Sequence, residues 1–279
     1  MKTLRVLCIS LFVLVAIGCD STAPDTAEDL LVVEAFLFAG EPVNDVRLKR
    51  AIPFGSADSS SVPVNDASVT LMKAGTSYPL TASGADGFYA YDGEDLTIET
   101  GDTFLLSIDY NGTTITATTT VPGPPQNVQL PSSEMPVPNF AGIGFGGGGG
   151  NFDSLSEFFT VTWDNPAANY HFVVVTSDDP EDPDFILPDF VRDFIGDFEI
   201  ISEPTTADFH DIIPVTLSWL GPHYVTVYQI NQEYVDLYEN REQDSRDLTE
   251  PPSNIEGGLG VFTAFNGVVS IFDVVRESL

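Results

Sequence analysis

From Leu30 onward the chain is divided into short apolar or alternating runs, separated by glycine, proline, asparagine and aspartate. No other feature constrains the fold as much. An amphipathic helix needs apolar residues three and four apart over ten or more positions, whereas a strand needs alternation over only four to eight. The first part holds seven such runs: Leu30–Phe38, Val46–Ile52, Ala67–Met72, Phe88–Tyr91, Leu96–Ile98, Thr103–Tyr110 and Thr113–Val121. Between the last two stands Asn111-Gly112. Both residues tolerate positive φ, as the central pair of a type I′ turn must, so a tight hairpin is predicted there.

Pro122-Gly123-Pro124-Pro125 ends this block, because proline cannot continue a central strand, and reads as a stiff joint. Gln126 to Asn151 shows no periodicity and contains the five glycines 146–150, which maximise backbone freedom. No Lys-Ser or Lys-Thr follows those glycines, so a phosphate-cradling loop is excluded. A second set of runs follows at Phe158–Trp163, Tyr170–Thr176, Ile212–Trp219, Tyr224–Ile230, Gly260–Phe265 and Val268–Val275. Two segments have helical spacing instead, Phe190/Phe194/Phe198 within Asp189–Glu199, and Tyr234/Leu237/Tyr238/Arg241. The expected fold is all-β, with two β-sandwich domains of the immunoglobulin/fibronectin-like kind. They are placed at 30–122 and 152–279, joined by a Pro/Gly-rich linker and insertion at 123–151, the second carrying one or two short helices.

The N-terminus has a different character. Lys2 and Arg5 precede the apolar run Val6–Gly18, the layout of a secretory signal. The run is too short to span a bilayer, which takes roughly 20 apolar residues. Ala16, Ile17 and Gly18 followed by Cys19 resemble the lipobox of bacterial lipoproteins. The resemblance implies that residues 1–18 are cleaved as a lipoprotein signal peptide, and that Cys19 becomes the N-terminus and the site of lipid attachment. Its sulfur would carry a diacylglyceryl group and its amine a further acyl chain such as palmitate. Each buried methylene adds about 0.8 kcal/mol, so two or more chains hold where one binds only marginally. A plain secretion signal with a chance cysteine is the rival. Residues 19–29, small, polar and acidic after Cys19, read as a flexible tether. Cys8 leaves with the signal, so no disulfide is expected in the mature chain.

Charge narrows the partners. The chain has 42 Asp and Glu against 10 Lys and Arg, a net charge of −32, and no Lys or Arg from Ala74 through Val191. Such an excess repels nucleic acid and anionic headgroups, leaving the lipid as the expected membrane contact. It also opposes the compact state at low ionic strength, a penalty that salt screens. The reading is adaptation to a salt-rich (halophilic) exterior; a merely acidic, soluble surface is the plainer alternative.

Several stretches then fall in a familiar order: Leu31-Val32-Val33-Glu34-Ala35-Phe36-Leu37, VNDASVTL from Val64 to Leu71, Gly87-Phe88-Tyr89, Gly101-Asp102-Thr103-Phe104 and Thr120-Val121-Pro122. The most specific is Pro251-Pro252-Ser253-Asn254-Ile255-Glu256-Gly257-Gly258-Leu259-Gly260-Val261-Phe262. Together they resemble the lipoprotein family labelled domain of unknown function 4249, over roughly residues 30–279. The resemblance implies an outer-membrane lipoprotein of Gram-negative bacteria rich in TonB-dependent importers, working beside such an importer. It supplies no catalytic residues. Gly257-Gly258-Leu259-Gly260 precedes a strand pattern, not a helix, so the glycines read as packing requirements and not a nucleotide site.

Little chemistry is legible. His171, His210 and His223 stand in no ligand spacing, and zinc patterns need paired His or Cys. There is no G-x-S-x-G elbow. No cofactor, metal or catalytic residue is assigned, and the chain is expected not to be an enzyme. Asp178-Asp179-Pro180-Glu181-Asp182-Pro183-Asp184 offers oxygen ligands for a cation such as Ca²⁺, yet its spacing is not that of an EF-hand and a solvated acidic loop explains it better. The aromatic stretch Phe185 to Phe198 is read as core packing, with an exposed docking stripe as the alternative. The expectation is a lipid-anchored, non-enzymatic binding or accessory subunit of the outer membrane. A Ca²⁺-dependent adhesion or scaffold module and a cell-surface hydrolase are its rivals. From the charge alone, the thermal midpoint should rise by several degrees between 0.05 and 1 M NaCl in scanning calorimetry; a midpoint that stays flat or falls would contradict carboxylate repulsion as a destabilising term.

Overall fold

The computed structural model describes residues 30–52, 61–84, 86–137, 158–177, 184–186, 200–217, 219–240 and 253–277. The fold is all-β: the described residues form sixteen strands, β1 to β16, with one α-helix and one turn of 3-10 helix at Pro214–Thr216. Strand β1, Leu31–Phe38, alternates as its sequence requires, burying Leu31, Val33, Ala35 and Leu37 and turning Val32, Glu34, Phe36 and Phe38 outward. It pairs antiparallel with β2, Asp45–Arg50, and parallel with the start of β16, Leu259–Arg276. Beyond β2 the sheet continues through β5 (Phe88–Ala90), β4 (Thr76–Ala82), β3 (Ser68–Lys73), β6 (Thr103–Tyr110) and β7 (Thr113–Thr120) to β15 (Ile255–Glu256). It curls because β4 is a corner: Thr76 to Leu80 pair with β3, while Thr81 and Ala82 pair with β5. Inside the curl lies the first core, with Leu48, Leu71, Phe104, Leu106, Ile108 and Phe262 almost fully buried. Asn111 and Gly112 turn between β6 and β7 at φ 49° and 81°, the predicted hairpin.

The PPSN-to-GVF stretch closes the curl. Only Gly257 and Gly258 separate β15, which pairs with β7, from β16, which pairs with β1. The chain itself therefore joins the two ends of the curled sheet. Asn254 stands in for a missing strand: its Nδ2 donates to the Phe262 carbonyl at 2.7 Å and its Oδ1 accepts from the Phe262 amide at 2.9 Å. The Ser253 hydroxyl donates to the Gly260 carbonyl at 2.9 Å and accepts from the Ile255 amide at 3.2 Å. Gly260 has φ +108°, and a Cβ there would lie 2.0 Å from the Val33 carbonyl oxygen. The glycine is demanded by backbone approach, as the sequence suggested.

Strand β16 is the long element. Over Leu259–Phe265 it pairs parallel with β1; over Asn266–Val274 it pairs antiparallel with β14, Gly221–Gln229; at Asp273–Arg276 it also pairs parallel with β9, Glu134–Val137. The sequence predicted two strands broken at Asn266-Gly267. One strand runs through instead, because its even-numbered side chains keep to one side: Phe262 and Ala264 are buried in the first core, Phe272 and Val274 in the second, with Val268 and Ser270 half-buried between them. Between the cores Asn266 Nδ2 donates to Thr100 Oγ1 and to the Pro122 carbonyl, both at 2.9 Å. Gly267 is not a turn residue; a Cβ on it would come 2.6 Å from the Tyr228 ring across the strand pair.

The second core lies between two sheets. One is β12 (Ile200–Ile201), β11 (His171–Ser177), β14 and the second half of β16; the other is the three-stranded β13 (Phe209–Ile212), β10 (Phe159–Asp164) and β8 (Gln126–Gln129). Phe159 packs on Phe272 at 4.9 Å, and Val161, Trp163, Val173, Val225 and Val227 fill the space between. Two boundaries differ from expectation. The interval 123–151, by its sequence a linker and insertion, contains β8 and β9, and Met135 and Val137 are buried in the second core. Ile255, Phe262 and Ala264, within the stretch expected to form a domain at 152–279, are buried in the first core, because the start of β16 pairs with β1 on the side opposite β2. Of the two segments with helical spacing, Tyr234 and its neighbours form helix α1, Gln232–Asn240, while 189–199 lies outside the described residues. Replacing Gly260 with alanine should lower stability by about 2 kcal/mol or more, since the new methyl meets backbone at positive φ. Urea melts would read this; a midpoint unchanged from the parent would contradict the closure described.

Candidate functional site

Cys19 lies outside the described residues, as do 178–183 of the acidic run and 187–198 of the aromatic stretch. What is described of those stretches is structural. The Asp184 carboxylate pairs with Arg276 at 3.0 Å, Ile186 is buried in the second core, and Phe185 bridges to Trp219. Among the described residues no group of three His, Cys, Asp or Glu is arranged to hold a metal ion.

The structure separates the three histidines. His171 and His223 are almost fully buried on the inner faces of β11 and β14, His171 tilted against Trp163 (5.4 Å) and His223 stacked on Phe272 (5.6 Å). His171 Nδ1 bonds the Asn169 carbonyl at 3.1 Å and His223 Nδ1 the Gly221 carbonyl at 3.0 Å. A carbonyl only accepts, so each Nδ1 carries the proton and each Nε2 of the neutral ring is bare. Burial holds the pKa of both rings, and of His210, below the ordinary histidine value. His171 and His223 are core residues at opposite ends of the β11–β14 ladder, while His210 is half-buried on β13.

A surface is the more informative feature. On the outward side of the sheet formed by β12, β11, β14 and β16, Phe172, Tyr228 and Phe265 pack together with Phe36, Phe38 and Tyr234, with ring centroids 5.0 to 6.4 Å apart. Helix α1 covers this end, with Val235 buried against it. Beyond the helix, no other described element covers the same face. Strand pairing places Ile201, Val174, Thr226 and Val269 in one row, and Thr176, Tyr224 and Ile271 in the next. Ile201, Val269 and Ile271 are 52%, 57% and 58% exposed. Val269 and Ile271 thus stand two residues apart on β16, with Ile201 on the same face across β14 and β11, and exposed apolar side chains clustered on one sheet face suit a binding surface. Sequence reasoning missed it. The available signal was Val268-Val269-Ser270-Ile271-Phe272, apolar on both parities, which implies that both faces of the strand meet apolar surroundings.

With this geometry in view, comparison with known families is decisive on one point. The family model described as "Domain of unknown function (DUF4249)" matches residues 20–269. The chain belongs to that family. The match runs from ahead of β1 to Val269, in the middle of β16. No curated protein matches. Among solved structures, the chain is similar to a two-fibronectin-type-III-domain segment of chicken tenascin, at 10% identity, covering 87% of this chain and 97% of that one with a TM-score of 0.24. It is also similar to domains A168–A170 of titin, at 10% identity, 89% and 67% coverage and a TM-score of 0.21. Scores this low establish no common arrangement.

The buried rings make a pH prediction. A histidine with a lowered folded pKa binds its proton more readily when unfolded, so its stabilising effect is full above the unfolded value of ~6.5 and is lost as pH falls below it. Between pH 7.5 and 5.5 the thermal midpoint should fall, and His171→Asn/His223→Asn should flatten that slope. An equally steep slope in the double variant would assign the acid sensitivity elsewhere.

Proposed function

We propose that this DUF4249 protein is a lipid-anchored protein of the outer membrane that acts by binding, as a non-enzymatic accessory subunit beside a TonB-dependent importer. The observation that carries the binding role is the uncovered apolar face of β11, β14 and β16, ordered by a sheet that is packed on its other side. The anchor rests on Lys2, Arg5, the run Val6–Gly18 and Cys19. In this reading the two cores are two immunoglobulin/fibronectin-like sandwiches sharing β16, and they hold the face at a set distance from the tether. Confinement to a membrane raises effective concentration, so a face of modest intrinsic affinity suffices.

Mass spectrometry of the native N-terminal peptide should find Cys19 carrying a diacylglyceryl group, and Cys19→Ala should move the protein from the membrane to the soluble fraction. An unmodified thiol at Cys19 would remove the anchor. Affinity purification from membranes should recover an importer component with the parent and much less with Cys19→Ala; its absence from the parent eluate would remove the partnership.

A further inference from the structure

The uncovered face has an electrostatic setting that selects its occupant. Asp273 is exposed two residues beyond Ile271, on the same side of β16. Burial raises the pKa of the Tyr228 phenol at the covered end, and the Glu41 carboxylate adds to that rise. The chain carries 42 Asp and Glu against 10 Lys and Arg, and Arg276, on the same strand, is already paired with Asp184. An apolar surface in such a field attracts one class of partner and repels two others. A second copy brings another −32 charges, and an anionic bilayer brings its own negative potential. A surface with an apolar centre and a cationic rim gains from both the burial and the field.

We propose that the uncovered face of β11, β14 and β16 docks a partner protein whose apolar patch is ringed by lysine or arginine. The inference rests on reading this face as a binding surface, and is independent of the lipid. Apolar contact by Ile201, Val269 and Ile271 supplies the affinity and determines the register; the surrounding carboxylates speed encounter and exclude anionic surfaces.

The test uses the full chain with zwitterionic nanodiscs present, so that binding is read whether or not the chain is anchored. The probes are two synthetic amphipathic peptides with the same leucine face, one flanked by lysines and the other by glutamates. Titration should show the lysine peptide binding at least tenfold more tightly to the parent than to Val269→Ser/Ile271→Ser, with affinity falling between 50 and 500 mM NaCl, and no binding of the glutamate peptide. Both substituted side chains are exposed, so the variant should keep the parent's near-ultraviolet dichroism; Ile201→Ser, on the far strand, provides an independent reduction. Equal binding by parent and both variants would show that charge alone attracts the peptide and would overturn the proposal. So would equal affinity for the glutamate peptide. Concentration-dependent self-association of the parent that the double variant abolishes would replace the partner with a second copy. A chain that stays off the nanodiscs yet binds the lysine peptide would sink the anchor while leaving this inference intact.

Discussion

Strand β16 is one element serving two cores, and the architecture follows from that sharing. Its even-numbered side chains point to one side throughout, so the first core and the second core lie along the same face of one strand. The polar residue at the midpoint, Asn266, is compatible with burial because Thr100 and the Pro122 carbonyl accept its amide protons. Asn231 reinforces the joint, donating to the Thr120 carbonyl at 2.8 Å and to Thr119 Oγ1 at 3.2 Å. Two cores stitched in this way do not behave as beads on a string: any rotation between them must break a continuous hydrogen-bonded strand.

The sharing also dictates when the fold can form. The parallel ladder between β1 and β16 joins Val32 to Leu259 and Phe38 to Phe265. Contacts so distant in sequence carry a large loop-closure cost before any burial compensates it. The first core therefore cannot be completed until nearly the whole chain is available, although most of its strands lie near the N-terminus. Asn254 and the glycines 257, 258 and 260 sit at this closing step. The specificity of the PPSN-to-GVF stretch is geometric: a side chain imitating a strand, followed by backbone that passes within contact of Val33.

Legibility followed the range of the determining interactions. The β6–β7 hairpin was readable because its turn chemistry is local, and β1, β6, β10 and β11 because each buries one face in strict or near alternation. β4 was not, since Pro79 lies where β3 is its only paired neighbour and Leu80 is its one fully buried residue. Leu96–Ile98 reads as a strand yet forms none, although Ile98 is buried in the first core and Leu96 packs against it. β8 and β9 are four residues each and owe their conformation to β10 and β16, partners far away in sequence. Asn266-Gly267 carried a misleading local signal, because glycine there makes room for the Tyr228 ring and does not reverse the chain. The uncovered face was hidden for the same reason: which apolar side of Val268–Phe272 meets the core is decided by β14 and β10, not by the run itself.

Charge and exposed apolar surface are usually treated as opposites, but here each makes the other tolerable. A sheet face bearing Ile201, Val269 and Ile271 is prone to pair with its own kind, and a net charge of −32 opposes that encounter at any distance the solvent leaves unscreened. Raising salt stabilises the folded chain by screening its carboxylates from one another, and by the same screening removes the barrier between two copies. Stability of the monomer and its freedom from self-association must then move in opposite directions with ionic strength. A cationic-rimmed partner seated on the face resolves the conflict, because it neutralises carboxylates where the apolar surface is exposed and covers that surface in the same event.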